Sequence, residues 1–231
     1  MARPSGVAAA GALAATVALA LPAPARPEAV TIQANAAHTG FVAGGGPALP
    51  LTRRWTAPLD HRVGYPVIGD GKAFVVTGPP LDYRHRVVAL SLRDGRRLWS
   101  RELGDVAPRG AAPAYADGRV IVTRDLYGGD PNEGAMLALS SADGSVLWRT
   151  RDLTLAQAVP PVVVDGVVYL SETGGGDGGV SAWRASDGAP LWRVFTAHGS
   201  GGSAAVAGDV VYTQTGCPPH VLRVRRDGTP L

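Results

Sequence analysis

The chain has 231 residues, a formal net charge of +3 and 22 basic side chains, all arginine except Lys72. These basic residues are scattered and interleaved with acids, which excludes the basic stripe with stacking aromatics that nucleic-acid binding requires. With Gly 31, Pro 19, only 6% aromatics and many short Val-rich runs, no helical apolar period is sustained, and an all-β chain is indicated.

At the start of the chain, Arg3 precedes an apolar stretch over 7–21, and Ala23-Pro24-Ala25 then matches a small-x-small cleavage pattern. The stretch is too short to span a bilayer. Residues 1–25 are therefore expected to be a secretory signal, giving a secreted or extracytoplasmic, cell-envelope location with no membrane span after its removal. No cysteine follows the apolar run, which argues against lipid attachment there. Residues 26–48 are expected to form an extended N-terminal segment, and 49–231 a repeat array.

The segment 49–59 (LPLTRRWTAPL) places Trp55 44 residues before Trp99. From there two signatures recur together. The first runs PVIGDGKAFVV (66–76), PAYADGRVIVT (113–123) and PVVVDGVVYLS (161–171), with Phe74, Ile121 and Tyr169 three residues past the glycine. Its fourth copy, AAVAGDVVYTQ (204–214), has Ala204 for proline and Gly-Asp for Asp-Gly, with Tyr212 in register. The second runs LRDGRRLW (92–99), SADGSVLW (141–148), ASDGAPLW (185–192) and RRDGTPL (225–231). Its aspartates at 94, 143, 187 and 227 step by 49, 44 and 40 residues. Trp99, Trp148 and Trp192 each lie five residues after their Asp, and a fourth would fall at 232.

Asp-Gly between apolar runs predicts a two-residue hairpin, because a type I′ turn needs positive φ at both central positions. Each repeat therefore holds two hairpins, and four antiparallel strands in such a repeat make a β-propeller blade. Five residues before the second Asp stand Ala89, Ala138 and Ala182, followed by Leu90, Leu139 and Trp183. This alternation of small and large suits strands sandwiched between blades; the fourth repeat has Leu222 at the small position. The expected fold is an all-β propeller of four-stranded antiparallel blades at 60–103, 107–152, 157–196 and 203–231. It is incomplete, about three and a half blades, the last lacking its outer strand, so the chain reads as a fragment of a longer one. The single cysteine, Cys217, is either a free thiol or separated from its disulfide partner, and the second is preferred.

The pattern P-V-x-x-D-G-x-V-Y…A-L-x-x-x-D-G-x-x-L-W resembles the PQQ-enzyme repeat over about residues 55–231. That family includes quinoprotein alcohol dehydrogenases and BamB-type outer-membrane assembly propellers. The resemblance implies that Trp99, Trp148 and Trp192 pack between blades. It also implies that a strand such as 49–59 completes the last blade of a closed ring.

Both Asp-Gly turns of a blade fall on one face, so all length variation falls on the other. Its loops are 61–64, 78–85, 124–134, 172–179, 198–203 and 215–220, and binding is expected there. Asp125, Asp130, Asn132 and Glu133 could offer oxygens to Ca²⁺, although without EF-hand spacing a solvated acidic loop is preferred. The glycine run 174–179 could cradle an anion, but no helix follows it. His61, His85, His198 and His220 lack matched metal-ligand spacing. No G-x-S-x-G elbow exists, so no catalytic residue, metal site or cofactor site is assigned. Two functions follow from the resemblance. The preferred one is a non-catalytic binding or scaffolding propeller acting on a protein, a cell-envelope component or a small ligand. The alternative is a quinoprotein dehydrogenase using PQQ and Ca²⁺ to oxidise alcohols or sugars. Such enzymes carry a Cys–Cys pair and a Glu, Asn and Asp ligand set that cannot be mapped here.

Overall fold

The computed structural model describes residues 29–42, 49–79, 84–105, 112–124, 136–150, 159–172, 178–196, 202–215 and 220–231. No helix occurs among them that is long and apolar enough to cross a membrane. They form four successive antiparallel sheets. The first holds β1 (Arg62–Val63), β2 (Val67–Gly69), β3 (Lys72–Gly78), β4 (Arg84–Ser91) and β5 (Arg97–Asp105). The second holds β6 (Ala114–Ala116), β7 (Arg119–Thr123), β8 (Met136–Ser140) and β9 (Val146–Arg149). The third holds β10 (Val162–Val164), β11 (Val167–Glu172), β12 (Gly178–Arg184) and β13 (Pro190–Thr196). The fourth holds β14 (Ala205–Ala207), β15 (Val210–Thr215) and β16 (His220–Arg225). The first sheet counts five strands because its inner strand is interrupted: β1 and β2 lie along the same neighbour, with Arg62 opposite Gly78 and Val67 opposite Phe74. The short inner strands β2, β6, β10 and β14 neighbour one another in that order, as blades do around an axis.

The first Asp-Gly of each repeat folds as its sequence predicts. Asp70, Asp117 and Asp165 have φ of 53°, 46° and 48°, and the glycines after them 68°, 74° and 74°. Both central residues are left-handed, which defines the type I′ turn. In the first turn of the fourth repeat only Gly208, at the first central position, has positive φ, 58°. That is the demand of a type II′ turn, and it explains why Gly-Asp replaces Asp-Gly there.

The second Asp-Gly does not form the expected type I′ turn. Only its glycine is left-handed, at 73°, 74°, 75° and 95° for Gly95, Gly144, Gly188 and Gly228. The loop is longer: the N–H of Ser91 donates to Arg96 O and the N–H of Gly95 to Ser91 O, enclosing four residues. The aspartate instead caps the turn, its Oδ1 accepting the N–H two residues on, from Arg96, Ser145, Ala189 and Thr229. An Asx cap of this kind is why aspartate suits the position. The outer strand then bulges at the leucine before each tryptophan. Ala89 faces Trp99 while Leu90 faces Arg97, and the same skip recurs at Leu147 and Leu191. In the fourth repeat the loop is one residue shorter, since Arg225 N–H reaches Thr229 O. Counting back from Asp227 is therefore one residue off: Arg223, not Leu222, stands opposite Tyr212, where Ala89 stands opposite Phe74.

The core lies in the seams between sheets. Phe74, Val87, Ala89 and Trp99 meet Val120, Leu137 and Leu139 in the first seam. Ile121, Met136 and Trp148 meet Val168, Leu170 and Trp183 in the second, and Tyr169, Val180 and Ala182 meet Val206, Val211 and Val224 in the third. Ala89, Ala138 and Ala182 are fully buried, as their place between blades requires.

Each seam carries the same joint. The indole N–H of Trp99 donates to Ser141 O at 3.0 Å, that of Trp148 to Ala185 O at 3.0 Å, and that of Trp192 to Arg226 O at 2.9 Å. Trp55 repeats it on the first sheet, donating to Leu92 O at 3.0 Å. Each ring also lies on the turn glycine of the next blade. A Cβ on Gly95, Gly144, Gly188 or Gly228 would stand 2.6–2.8 Å from the indole. Residues 49–59 thus present their tryptophan as an outer blade strand does.

Candidate functional site

In every sheet the two turns are bonded to each other, from Leu92 N–H to Gly71 O, Ser141 N–H to Gly118 O, Ala185 N–H to Gly166 O and Arg226 N–H to Asp209 O. These bonds tie the two turns of each blade together on the regular face. The opposite strand ends, where the loops of variable length attach, form the candidate binding face.

At this end of the first sheet, Arg62 and His85 both lie against Gly78, so His61 and His85 share one corner. His61 is exposed, and the His85 ring fills the space a Cβ on Gly78 would need, 2.2 Å away. His220 opens β16 in the fourth sheet. His198, Cys217, Asp125, Asp130, Asn132 and Glu133 lie outside the described residues, as do 174–177 of the glycine run. Gly178 and Gly179 open β12. A Cβ on Gly179 would stand 2.1 Å from Val194 O, so close strand approach accounts for that glycine.

Among the described residues, several polar groups near this face are built into the blades. Glu172, 6% exposed, forms a two-pronged pair with Arg193, at 2.8 Å to Nε and 2.5 Å to Nη2. A buried carboxylate held this way is a fixed charge pair. The same guanidinium lies 5.2 Å from the centre of the Phe195 ring, which is 65% exposed. Arg124 is buried and donates from Nη1 to Leu103 O at 2.7 Å, tying the second sheet to the first. The Ser171 and Thr213 hydroxyls bond at 2.6 Å across the third seam. Three consecutive carbonyls at the start of the third blade each accept a hydroxyl from elsewhere. Thr123 donates to Val159 O, Ser203 to Pro160 O and Thr31 to Pro161 O, at 2.5, 2.8 and 3.1 Å.

A groove of about 540 Å³ opens on the side of the first sheet turned away from the second. Ala57, Leu59, Val88 and Leu90 line its apolar middle, with His61, Thr77 and Arg86 toward one end and Asp94, Arg96 and Arg97 toward the other. Nothing in the repeat spacing announced this groove; only the beat of Trp55 hinted that residues near it would lie along the first blade.

A family model described as outer membrane protein assembly factor BamB, of PQQ-repeat type, matches residues 49–215. The chain belongs to this family. Among curated relatives, outer membrane protein assembly factor BamB of Yersinia pestis is 29% identical over 110 residues, covering 48% of this chain and 24% of that protein. Among solved structures, quinohemoprotein alcohol dehydrogenase from Comamonas testosteroni superimposes with TM-score 0.66 at 18% identity, covering 89% of this chain and 40% of that one. BamB from Moraxella catarrhalis gives 0.50 at 16% identity, covering 90% and 70%. These likenesses establish the propeller fold of this BamB-type chain, which spans about a quarter of the curated relative it matches.

Proposed function

We propose that this chain is an exported, non-catalytic binding or scaffolding propeller of the cell envelope, whose partner is an envelope protein engaged by the face opposite the Asp-Gly turns. The observation that carries this reading is the family match over 49–215, whose model is described by an assembly factor. The geometry supports it in a second way. Glu172, Arg193 and Arg124 are committed to pairs and carbonyls that hold blades together, leaving the rim as a rigid platform for loops. No cofactor is needed on this reading. The quinone and Ca²⁺ alternative requires several converging acid or amide ligands, and the loop whose acids could offer them, 124–134, lies outside the described residues from 125 on. No step is assigned to that chemistry.

The test places a photo-crosslinking residue at His61 of the whole protein in its source cells. A discrete adduct with an envelope protein is the expected result, together with recovery of the chain from the envelope fraction. Dye reduction with alcohols or glucose, after adding PQQ and Ca²⁺ to the purified protein, would overturn the proposal.

A further inference from the structure

Residues 29–36 cross the inner strands of all four blades. The N–H of Ile68 donates to Ala29 O at 2.8 Å, that of Tyr115 to Val30 O at 2.8 Å and that of Val206 to Ala36 O at 2.7 Å. The third blade is reached through Thr31, whose hydroxyl donates to Pro161 O. Ile68, Tyr115 and Val206 are each the middle residue of a three-residue inner strand, β2, β6 and β14. Ladder bonds to β3, β7 and β15 leave these edges turned inward. One repeat position thus offers a main-chain donor from three different blades to whatever lies between them.

Two features distinguish this arrangement from ordinary packing. First, recognition is by main chain: the segment gives three carbonyls, and only Thr31 uses a side chain. The residues supplying those carbonyls are small or aliphatic, while Thr31, itself buried, adds a side-chain bond to the third blade. Second, the occupant is held in an unfavourable conformation. Gln33 and Ala34, neither of them glycine, are consecutively left-handed at φ 55° and 74°, and His38 follows at 54°. Backbone bonds from Ala34 N–H to Thr31 O and from Gly40 N–H to Gln33 O close the bend, and Asn35 braces the residues after it, its side chain donating to Thr39 Oγ1 and Phe41 O and accepting from Ala37 and Thr39 N–H.

We propose that the inward edges of the inner strands form a binding site for a short, bent polypeptide segment, which residues 29–36 occupy in cis. Affinity comes from main-chain bonds, one from each of three blades, rather than from a ladder along a single strand edge. The site lies at the axis, separate from the loop face, and does not depend on which partner that face takes.

The test keeps the full chain. A protease site is placed within 43–48, the purified protein is cut, and a fluorescent peptide of residues 29–42 is added. Saturable rise in anisotropy, with release of the native piece, is expected. A peptide carrying Gln33→Gly and Ala34→Gly, freed of left-handed strain, should bind about fivefold tighter. Failure of the labelled peptides to exchange while near-ultraviolet circular dichroism stays native would overturn the proposal. So would loss of that signal as the native piece leaves, since residues 29–36 would then be an inseparable part of the fold. An uncut control carrying both glycine substitutions should exclude added peptide more strongly than the uncut native chain, and equal exclusion would also count against the site.

Discussion

A tryptophan laid on a glycine joins each blade to the next, and the glycine meets two separate demands. Gly144 has φ 74°, and a Cβ there would stand 2.7 Å from the Trp99 ring. Gly166 has the same φ of 74° with nothing within 4 Å of the equivalent Cβ. The pair separates backbone strain from packing. Gly166→Ala should cost about 1–2 kcal/mol, the left-handed penalty alone. Gly144→Ala should cost about 1–3 kcal/mol more, because the indole must shift within a close-packed seam. Urea unfolding of both variants measures the difference, and equal losses would mean that the ring makes room freely. Trp148→Phe keeps most of the ring but leaves Ala185 O without its donor, a loss of about 1 kcal/mol or more. At this scale the sequence was half legible. The tryptophan beat was visible in the spacing, but its glycine partner was hidden inside a dipeptide that also reads as a type I′ turn.

The two Asp-Gly turns of a blade look alike in sequence and differ as elements. The first places aspartate itself in the left-handed region; the second uses aspartate as an acceptor. The consequence is electrostatic. The Ser91 hydroxyl and Arg96 N–H hold the Asp94 carboxyl below its ordinary value. Asp143, Asp187 and Asp227 are lowered chiefly by the N–H groups of Ser145, Ala189 and Thr229. A lowered folded-state value means that protonation favours the unfolded chain. The stability these caps supply is therefore complete above about pH 4 and is lost as the pH falls through the folded-state values. Changing all four aspartates to asparagine keeps an acceptor and removes the titration. The urea midpoint of that variant should fall less steeply below pH 4 than that of the native chain, and parallel curves would assign acid sensitivity elsewhere. A second element-level prediction concerns the Val159-Pro160-Pro161 corner. Thr123→Val leaves the Val159 carbonyl without its hydroxyl partner inside a buried seam, costing about 1–3 kcal/mol by the same measurement. Strand existence was legible from apolar runs bounded by turns. The leucine bulge and the shorter fourth loop were not, because both depend on how many residues a turn encloses.

For the whole molecule, repetition made the blades readable, and what does not repeat stayed unread. Residues 29–36 have no periodic counterpart, and the groove beside the first sheet arises from one segment lying along one blade. Repetition also makes stability a sum of neighbouring joints rather than a single core. Burial along the second strand of each sheet shows how those joints differ. In β7, Val120, Ile121 and Val122 are all fully buried, and in β11 so are Val168 and Leu170, with Tyr169 at 1%. Continuous burial means that both sides of these strands are covered. In β15, Val211 and Thr213 are buried while Val210 and Tyr212 are half-buried and Gln214 is exposed, an alternation left by cover on one side. Amide hydrogens of β7 and β11 must then await an opening that breaks two seams, whereas those of β15 require only one. Hydrogen exchange on the 231-residue chain should find β15 exchanging roughly tenfold faster or more than β11. Thr213→Val, which removes the hydroxyl bond to Ser171 across the third seam, should widen that gap by speeding β15 while leaving β7 unchanged. Equal protection of β15 and β11, or a Thr213→Val effect felt equally in β7, would show that the four blades open as one unit and that their joints do not act separately.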